Sequence, residues 1–396
     1  MNITKQLSEI HQSGAPYIIY KSQKGFDLYT DFSKKIILNN KNIKNFLSKI
    51  NRKKLKNTDL FIGFFGYELL NNLINIKVPK QKNLNFPKGI FYKPEKKIKL
   101  SNNFKYPNQN FVAGNFQINM NKKNYTKIFS KFKKKIKKGE TYQIKICTKY
   151  KTKSKINPLD FFSRLSNSNL APEAFMIKDN NYSIISCSPE NLITKKGADI
   201  STKPIAGTVK KTKNLNKLKA LNYFRKNLNK LKALKYFRKN LKETKEHNMI
   251  VDMERNDLSR ICKVGSVKLS KQKIVEEYKD LFHYVSLIKG KLKKNINNFD
   301  IIKAMMPGGS VIGCPKINTL NLLNNQEKEN RNIYTGSFGY IKFNGDMRFN
   351  IIIRSILNFK NISEISVASG VVVDSNANHE FNENFLKAKA LIDLFK

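Results

Sequence analysis

Residues 370–391, GVVVDSNANHEFNENFLKAKAL, lead from the end of an apolar run into an amphipathic helix. Glu380, Glu383 and Lys387 recur at i, i+3 and i+7, which places them within about 60° of one another, beside an apolar stripe. Two carboxylates at the edge of a buried face suit a hard cation such as magnesium, which takes oxygen ligands. Taken alone, such a pair is more often an ordinary solvated helix face.

Three further residues have side chains suited to chemistry. Glu246, in KEHNMIVDMERNDLSR at 245–260, is a second carboxylate on an amphipathic helix. Histidine side chains change charge near neutral pH, so His283 is a candidate general acid, although a single histidine between apolar neighbours is more often a hydrogen-bonded core residue. Ser310 follows a Pro/Gly turn at 307–309, where backbone N–H groups can approach an anion, but most such turns only reverse the chain.

The length and composition are those of a protein with a large core. The chain has 396 residues, 40% of them apolar, enough for two or three ordinary domains or one large one. No apolar run approaches the roughly 18 to 20 residues that span a bilayer, and the first residues do not resemble a signal peptide. A soluble, cytoplasmic protein without membrane contact is predicted. The four cysteines form no CxxC pair, so neither disulfides nor a zinc site are expected.

The net charge of +47 raises the question of a nucleic-acid or anionic-membrane partner. The lysines are distributed along the whole chain, no known nucleic-acid-binding module is visible, and the abundance of Lys, Asn and Ile indicates a biased coding composition. We therefore expect no nucleic-acid partner. A positive field would still attract a small dianionic substrate.

The chain divides near residue 115. Before it, short apolar runs alternate with Lys/Asn-rich connections, which predicts strands, turns and a helix or two. After it, longer segments predict alternating strands and helices. Strands are predicted within 141–151, 181–196, 336–344, 348–359 and 363–373, and helices around 215–260, 275–285, 298–306, 315–328 and 378–395.

A tandem duplication covers residues 215–240. LNKLKALNYFRKN is followed at once by LNKLKALKYFRKN, and the copies differ only in Asn222 against Lys235. Thirteen residues rotate a helix by roughly 220° beyond whole turns, so the two copies cannot present one face to one core. The duplication predicts an extended or bulged, solvent-exposed basic helical segment with no catalytic role.

Several long motifs occur together and in a fixed order. They are KPIAGT (203–208), EHNMIVDMERNDLSRICKVGSV (246–267), EEYKDLFHYVS (276–286), PGGSVIGCPK (307–316), YTGSFGYIKFNGDMRFNIIIRS (334–355) and the opening stretch at 370–391. In these motifs the chain resembles the chorismate-utilising enzymes, which include the large subunits of anthranilate and aminodeoxychorismate synthases and the isochorismate and salicylate synthases.

The resemblance implies an α+β fold in which two large antiparallel β-sheets pack face to face, with helices outside and the active site between the sheets. Residues 1–115 would contribute strands to the same body, and residues 116–396 would form the chorismate-binding catalytic domain.

The resemblance also implies roles for individual residues. Glu246, Glu380 and Glu383 match the family's magnesium site, and Mg²⁺ would bind a carboxylate of chorismate. His283 matches the general acid that protonates the departing hydroxyl, and Ser310 belongs to the same catalytic set. The positions that match substrate contacts are Ala206, Gly207, Thr208, Tyr334, Arg354, Gly370, as a backbone donor, and Lys387.

The nucleophile depends on Gln143. Family members that add water carry a lysine base at this strand position, and a glutamine cannot deprotonate water, so ammonia is predicted. The chain has no recognisable Cys-His glutaminase motif, which implies a separate glutamine amidotransferase subunit or free ammonium. Isochorismate or salicylate synthesis is opposed by the same glutamine.

The product is either 4-amino-4-deoxychorismate or anthranilate. The sequences PGGS, YTGS and FGYEL (65–69) favour aminodeoxychorismate synthase. Against this, Ala206 stands where some aminodeoxychorismate synthases have a nucleophilic lysine, so a covalent lysine route is closed at that position. Anthranilate synthase is the alternative, and a non-catalytic basic scaffold or RNA-associated protein is a remote one.

Overall fold

The helices and strands belong to a computed structural model of the chain. It describes residues 3–22, 25–48, 56–76, 78, 86–101, 106–107, 110–168, 171–210, 230–236, 241–277 and 281–396. The helices are α1 (Ile3–Gln12), α2 (Ile43–Ser48), α3 (Tyr67–Leu73), α4 (Lys122–Lys137), α5 (Pro158–Ser168), α6 (Leu241–Ile261), α7 (Asn298–Met305), α8 (Lys316–Gln326) and α9 (Ala377–Ile392).

Strands make up most of the rest. They are β1 (Tyr17–Ser22), β2 (Gly25–Ile37), β3 (Leu60–Phe65), β4 (Gly89–Leu100), β5 (Val112–Ala113), β6 (Gln117–Ile118), β7 (Gln143–Lys155), β8 (Glu173–Lys178), β9 (Tyr182–Ser188), β10 (Asn191–Lys196), β11 (Asp199–Lys203), β12 (Ile205–Lys210), β13 (Lys268–Glu277), β14 (Leu281–Lys291), β15 (Gly313–Cys314), β16 (Ser337–Lys342), β17 (Met347–Asn350), β18 (Ser355–Phe359) and β19 (Ile362–Val371).

The strand pairs of the described residues are antiparallel and follow one path. Its order is β7-β19-β18-β9-β8-β1-β2-β4-β3-β16-β17-β10-β11-β14-β13, and β12 pairs with β14 beside β11. The two long strands β2 and β4 lie in the middle of this path and join its halves. The predicted α+β class with antiparallel sheets is confirmed, and the two sheets are continuous with each other.

The two halves of the path pack against each other through aromatic side chains. The rings of Phe175 on β8 and Phe338 on β16 are stacked, with centroids 3.7 Å apart and planes within 6°. Tyr20 on β1 meets Phe338 edge-on at 5.2 Å. Aromatic pairs at these distances contribute beyond their buried area, so they fix one half of the sheet over the other.

Strand β7 has an apolar face that packs in the core and a polar face on its opposite side. Ile144 and Ile146 are buried in the largest apolar cluster, on one face of the strand. Alternation places Gln143 and Lys145 on the opposite face. Most strands predicted from the sequence are confirmed, including β7, β16 and β19, because their turns and apolar runs are clear.

The helix predicted around 275–285 is wrong. The residues described there belong to β13 and β14, which pair with each other in antiparallel fashion. Phe282, Tyr284 and Val285 are all buried, so the strand is apolar on both faces and shows no alternation. A short apolar run of this kind cannot be told from a buried helix by periodicity alone.

The duplicated segment is described only at residues 230–236, which are helical. Leu231 and Tyr236 are exposed, as predicted, but Ala233 is buried against a small cluster formed by Val275, Phe282 and Tyr284. This part of the second copy therefore packs on β13 and β14. The first copy, at 215–227, lies outside the described residues, and so does the prediction made for it.

The cysteines and the helices bear on the expectations about disulfides and about membrane-spanning segments. All four cysteines are free thiols, and Cys147, Cys187 and Cys262 are buried. Within the described ranges, no helix combines the length and the apolar character needed to cross a membrane.

Candidate active site at the β7–β19 strand pair

A group of three potential metal ligands lies at the start of α9. Asn376 caps this helix by accepting hydrogen bonds from the backbone N–H groups of Asn378 and His379. The cap places His379, Glu380 and Glu383 on the first turns, with one ligand atom of each within 4.8 Å of the others. Glu380 is buried and accepts a hydrogen bond from Ser375 Oγ over 2.9 Å. Two carboxylates and an imidazole can hold a divalent cation.

The pair of glutamates was predicted from helical spacing, but His379 was missed. It directly precedes Glu380 in the sequence HEFNEN, so a search for metal-ligating residue types within one helical turn would have found it. Glu383 also pairs with Lys387, whose Nζ lies 2.7 Å from Oε1.

Glu246 reaches the same face of the sheet from α6, outside the group of three. Its Oε1 accepts hydrogen bonds from Gln143 Nε2 and from Lys145 Nζ, each over 2.7 Å. Burial by itself raises the pKa of Glu246, but the ammonium of Lys145 and the amide of Gln143 outweigh it and lower the pKa to about 2. Glu246 is therefore an ionised carboxylate held by two donors from β7.

Lys145 interacts with all three glutamates, most directly with Glu246. Burial lowers its pKa, but the charges of Glu246, Glu383 and Glu380 outweigh burial and raise it. Only 13% of its side chain is exposed. Sequence reasoning missed Lys145, although the alternation of β7 places it on the same face as Gln143, two residues earlier.

Gly370 on β19 makes room for both side chains. It is paired with Lys145 in the strand register. A Cβ atom at this position would lie 2.7 Å from Gln143 Nε2 and 2.7 Å from Lys145 Nζ. The glycine was expected to offer backbone donors. The structure adds a steric reason for a glycine at position 370, because a larger residue would collide with both side chains.

Arg354 and Glu190 form a second part of the site. Arg354 lies between β17 and β18 with a φ of 50°, and burial lowers the pKa of its guanidinium. Within the described part of the chain, its side chain takes part in no ion pair or hydrogen bond. A half-buried cation without such a partner is costly to desolvate unless an anion binds to it.

Glu190 was missed by sequence reasoning. It is buried between β9 and β10, and burial raises its pKa to about 7, against the opposing effects of Ser310 and Lys145. Its Oε1 has no hydrogen-bond partner among the described residues. A carboxyl group with this pKa can exchange a proton at neutral pH. The Pro-containing sequence SPE, inside the strand run predicted at 181–196, was the available sequence signal.

Ser310 lies in a short 3₁₀ turn, Gly309–Val311, and its side chain is buried near Glu190. The turn rests against α6, because a Cβ atom at Gly309 would lie 2.1 Å from the side chain of Met253. After the turn, Lys316 at the start of α8 forms a buried ion pair with Asp257 on α6. The motif PGGSVIGCPK is therefore fixed to the helix that carries Glu246.

His283 lies on β14, in a strand and not in a helix. Its backbone is paired with Thr208 on β12, and Tyr284 is paired with Ala206. The side chain of His283 is 2% exposed. The register thus brings the predicted general acid next to the backbone of 206–208, which includes Gly207; the side chains of 206–210 lie outside the description.

Lys387 and Tyr334 are placed at the margins of the site. Lys387 is exposed, and its Nζ donates to the carbonyl of Ala368 over 3.0 Å in addition to pairing with Glu383. Tyr334 is buried beside Cys147 and Arg331, and burial raises its pKa. Cys147 lies two residues after Lys145, on the same face of β7, so Tyr334 extends that face.

The sequence and the fold agree with known proteins. Residues 7–393 match the family described as chorismate binding enzymes. The chain therefore belongs to the chorismate binding enzymes.

The relatives carry more than one name. The chain is 34% identical over 280 residues to aminodeoxychorismate synthase component 1 of Bacillus subtilis, a match that covers 71% of this chain and 57% of the relative. The chain thus spans little more than half of that relative. It is 32% identical over 377 residues to anthranilate synthase component 1 of Buchnera aphidicola, with 86% and 71% coverage.

The fold is that of a solved anthranilate synthase component I from Streptococcus pneumoniae. The TM-score is 0.75 at 22% identity, and the match covers 95% of this chain and 89% of the other.

Proposed function

We propose that this chain is component I of an aminodeoxychorismate synthase. It converts chorismate and ammonia to 4-amino-4-deoxychorismate and water, and it receives the ammonia from a glutamine amidotransferase subunit. The similarity to the Bacillus subtilis aminodeoxychorismate synthase component supports the proposal. The observation that carries it is the hydrogen bonding of the Gln143 side chain in the site.

Gln143 is fully buried and serves as a donor and a potential acceptor, not as a base. Its Nε2 donates to Glu246, and its Oε1 has no hydrogen-bond partner among the described residues. A carbonyl oxygen in this position can accept a hydrogen bond from ammonia, but it cannot deprotonate water. Lys145, the neighbouring amine, donates to Glu246 as an ammonium. Both features favour ammonia as the nucleophile.

The charges of the site suit a substrate with two carboxylates. The half-buried guanidinium of Arg354 offers a direct partner for one of them. Glu246, Glu380 and Glu383, with His379 as a further donor, would hold Mg²⁺, which supplies a positive charge for the other carboxylate and makes the substrate more electron-poor. Their oxygen donors fit this hard cation. Lys387 and Tyr334 complete the proposed binding set.

Displacement of a hydroxyl requires a proton donor. His283 is the proposed general acid, which protonates the hydroxyl so that it leaves as water. Its strand β14 is paired with 206–208, where the substrate-binding backbone is proposed to lie. Glu190, with a pKa of about 7, is a second group that can give up a proton near neutral pH, and Ser310 is close to it.

Anthranilate synthase component I is the second candidate. It is favoured by the Buchnera aphidicola relative, whose similarity extends over 86% of this chain. Ala206 also fits it, because this residue lacks the amine of a covalent lysine route. We give preference to aminodeoxychorismate synthase on the motifs at 65–69, 307–310 and 334–337.

The two products can be separated in one experiment. The purified chain is incubated with chorismate, MgCl₂ and ammonium chloride, and half of each sample receives an aminodeoxychorismate lyase before chromatography. 4-Aminobenzoate that depends on the lyase is the expected result. Anthranilate in both halves would establish the second candidate, and isochorismate would overturn the use of ammonia.

Two controls accompany this experiment. Glu383→Ala is expected to abolish product formation, whereas Asp252→Asn, an exposed carboxylate on α6, should leave it unchanged. Glutamine without a partner subunit should give no product. A full rate from glutamine and the chain alone would contradict the proposed glutamine amidotransferase partner.

A further inference from the structure

Lys145 donates a hydrogen bond to one of the glutamates that are proposed to hold the divalent cation. Its Nζ lies 2.7 Å from Oε1 of Glu246, and the charges of Glu383 and Glu380 also act on it. The amine lies at the β7–β19 pair, and only 13% of its side chain is exposed.

An ammonium and a metal ion need the same lone pairs of a carboxylate. A magnesium ion binds carboxylate oxygen at about 2.1 Å and demands a near-octahedral shell, so an ammonium donating to that oxygen must withdraw before the ion can bind. Oxygen Oε1 of Glu246 already accepts from both Gln143 and Lys145. Metal binding through this oxygen therefore requires Lys145 to leave it.

The two lysines near the carboxylates are not equivalent. Lys387 pairs with Glu383, but 44% of its side chain is exposed, so water and salt screen its charge. Lys145 is 13% exposed, and its charge acts on the carboxylates with far less screening. The surrounding chain leaves room for the amine of Lys145 because residue 370 is a glycine.

We propose that Lys145 is a resident cation of this site, which competes with the divalent ion for Glu246 and so sets the metal affinity of the protein. The proposal rests on the metal site named in the proposed function. Lys145 offsets part of the negative charge of the three glutamates and holds Glu246 in place while no metal is bound, and it weakens metal binding in return. The amine released by the metal remains in the site, beside the space for an anionic substrate.

The test measures binding of Mn²⁺, used as a spectroscopic substitute for Mg²⁺, to the full chain without substrate. The EPR signal of free Mn²⁺ gives the dissociation constant. Lys145→Met and Lys145→Gln remove the charge, and Lys145→Arg retains it. Lys151→Met is the matched control, because Lys151 lies on the same strand and pairs with Glu329, away from the site.

Lys145→Met and Lys145→Gln should each bind Mn²⁺ about tenfold more tightly or better, since a buried positive charge next to the ion is lost. Lys145→Arg and Lys151→Met should bind like the unaltered chain. The midpoint of thermal unfolding should also rise more on Mn²⁺ addition in the two charge-removing variants.

Unchanged or weaker Mn²⁺ binding in both charge-removing variants would overturn the proposal and would make Lys145 a residue that positions Glu246 for the metal. No Mn²⁺ binding by any variant, including the unaltered chain, would overturn the metal site of the proposed function together with this inference.

Discussion

Gln143 on β7 donates a hydrogen bond from Nε2 to Oε1 of Glu246 on α6, over 2.7 Å and a sequence separation of 103 residues. This bond fixes which end of the amide faces the carboxylate, and it leaves Oε1 of Gln143 directed away from Glu246. The amide is thereby oriented to accept a hydrogen bond from a nucleophile that has N–H groups.

Gln143→Leu should impair the use of ammonia more than the binding of chorismate. The variant loses the acceptor proposed for ammonia and one donor to Glu246, so we expect kcat to fall roughly 100-fold, which corresponds to about 2.7 kcal/mol. The measurement is the initial rate at varied ammonium chloride. Gln326→Leu, at an exposed position that accepts from Lys131, is the control. An unaltered dependence on ammonium would remove Gln143 from the mechanism.

Arg354→Met should lower activity without lowering stability. The side chain is half-buried and has no ion-pair partner among the described residues, so the folded protein loses little without it and the substrate loses a charged contact. We expect kcat/KM for chorismate to fall at least about 30-fold, equivalent to roughly 2 kcal/mol. Urea unfolding should show equal or higher stability.

Arg348→Met is the contrasting variant, because this arginine has an ion-pair partner and its loss should lower stability. Arg348 pairs with the fully buried Glu173, and about a third of its own side chain is exposed. Removing it leaves a buried carboxylate, which should cost about 2 to 3 kcal/mol of stability, less than for a fully buried pair. Equal losses of stability in both arginine variants would show that Arg354 has an internal partner.

Glu190→Gln should change how stability depends on pH. Burial raises the pKa of Glu190 from 4.5 to about 7, so the folded state holds this proton more tightly than the unfolded state. The resulting stabilisation is complete below about pH 4.5 and is lost as the pH rises through about 7. Its size is of the order of 3 kcal/mol.

Glutamine cannot ionise, so the variant should lack this contribution and should exceed the unaltered chain in stability at pH 8 but not at pH 5. Urea midpoints at the two pH values measure the difference. Glu140→Gln, at a partly exposed position paired with Lys135, should behave like the unaltered chain at both. An identical pH dependence with glutamine at position 190 would show that this carboxyl group is ionised in the folded protein.

Lys316→Met should destabilise the fold through Asp257. The two side chains form an ion pair with exposed fractions of 6% and 3%, and burial raises the pKa of Asp257 while Lys316 opposes this effect. Loss of the lysine leaves a buried carboxylate, at a cost of about 3 to 5 kcal/mol.

The double variant Lys316→Met/Asp257→Leu should recover much of that stability, because no charge remains buried. Thermal and urea unfolding of the single and double variants measure the coupling. Additive losses would mean that the ion pair does not join α8 to α6.

Much of the fold followed from local patterns. The strands β7, β16 and β19 and the helices α7, α8 and α9 were predicted because their apolar periodicity and turn residues agree. The strand β14 was not, since it is buried on both faces and its sequence has no period of two. The boundary near residue 115 stays a prediction, although β1 pairs with β8 and β3 with β16.

The candidate site was predictable only where it lies within one element. Glu380 and Glu383 share a helix face, so their spacing indicated a metal site. The roles proposed for His283, Ser310 and Lys387 remain predictions. Lys145 and Glu190 were missed, because nothing local distinguishes one lysine among many or a glutamate in a turn from solvated residues.

The sequence by itself determined the α+β class, the ordered motifs that identify the family, and the glutamate pair on α9, because these depend on periodicity and on residues close together in the chain. The tertiary structure decided that Lys145 pairs with Glu246, that Arg354 is half-buried without an ion-pair partner in the described chain, and that Glu190 has a raised pKa. Those properties arise from desolvation and from charges on distant strands and helices, which only the folded chain brings together.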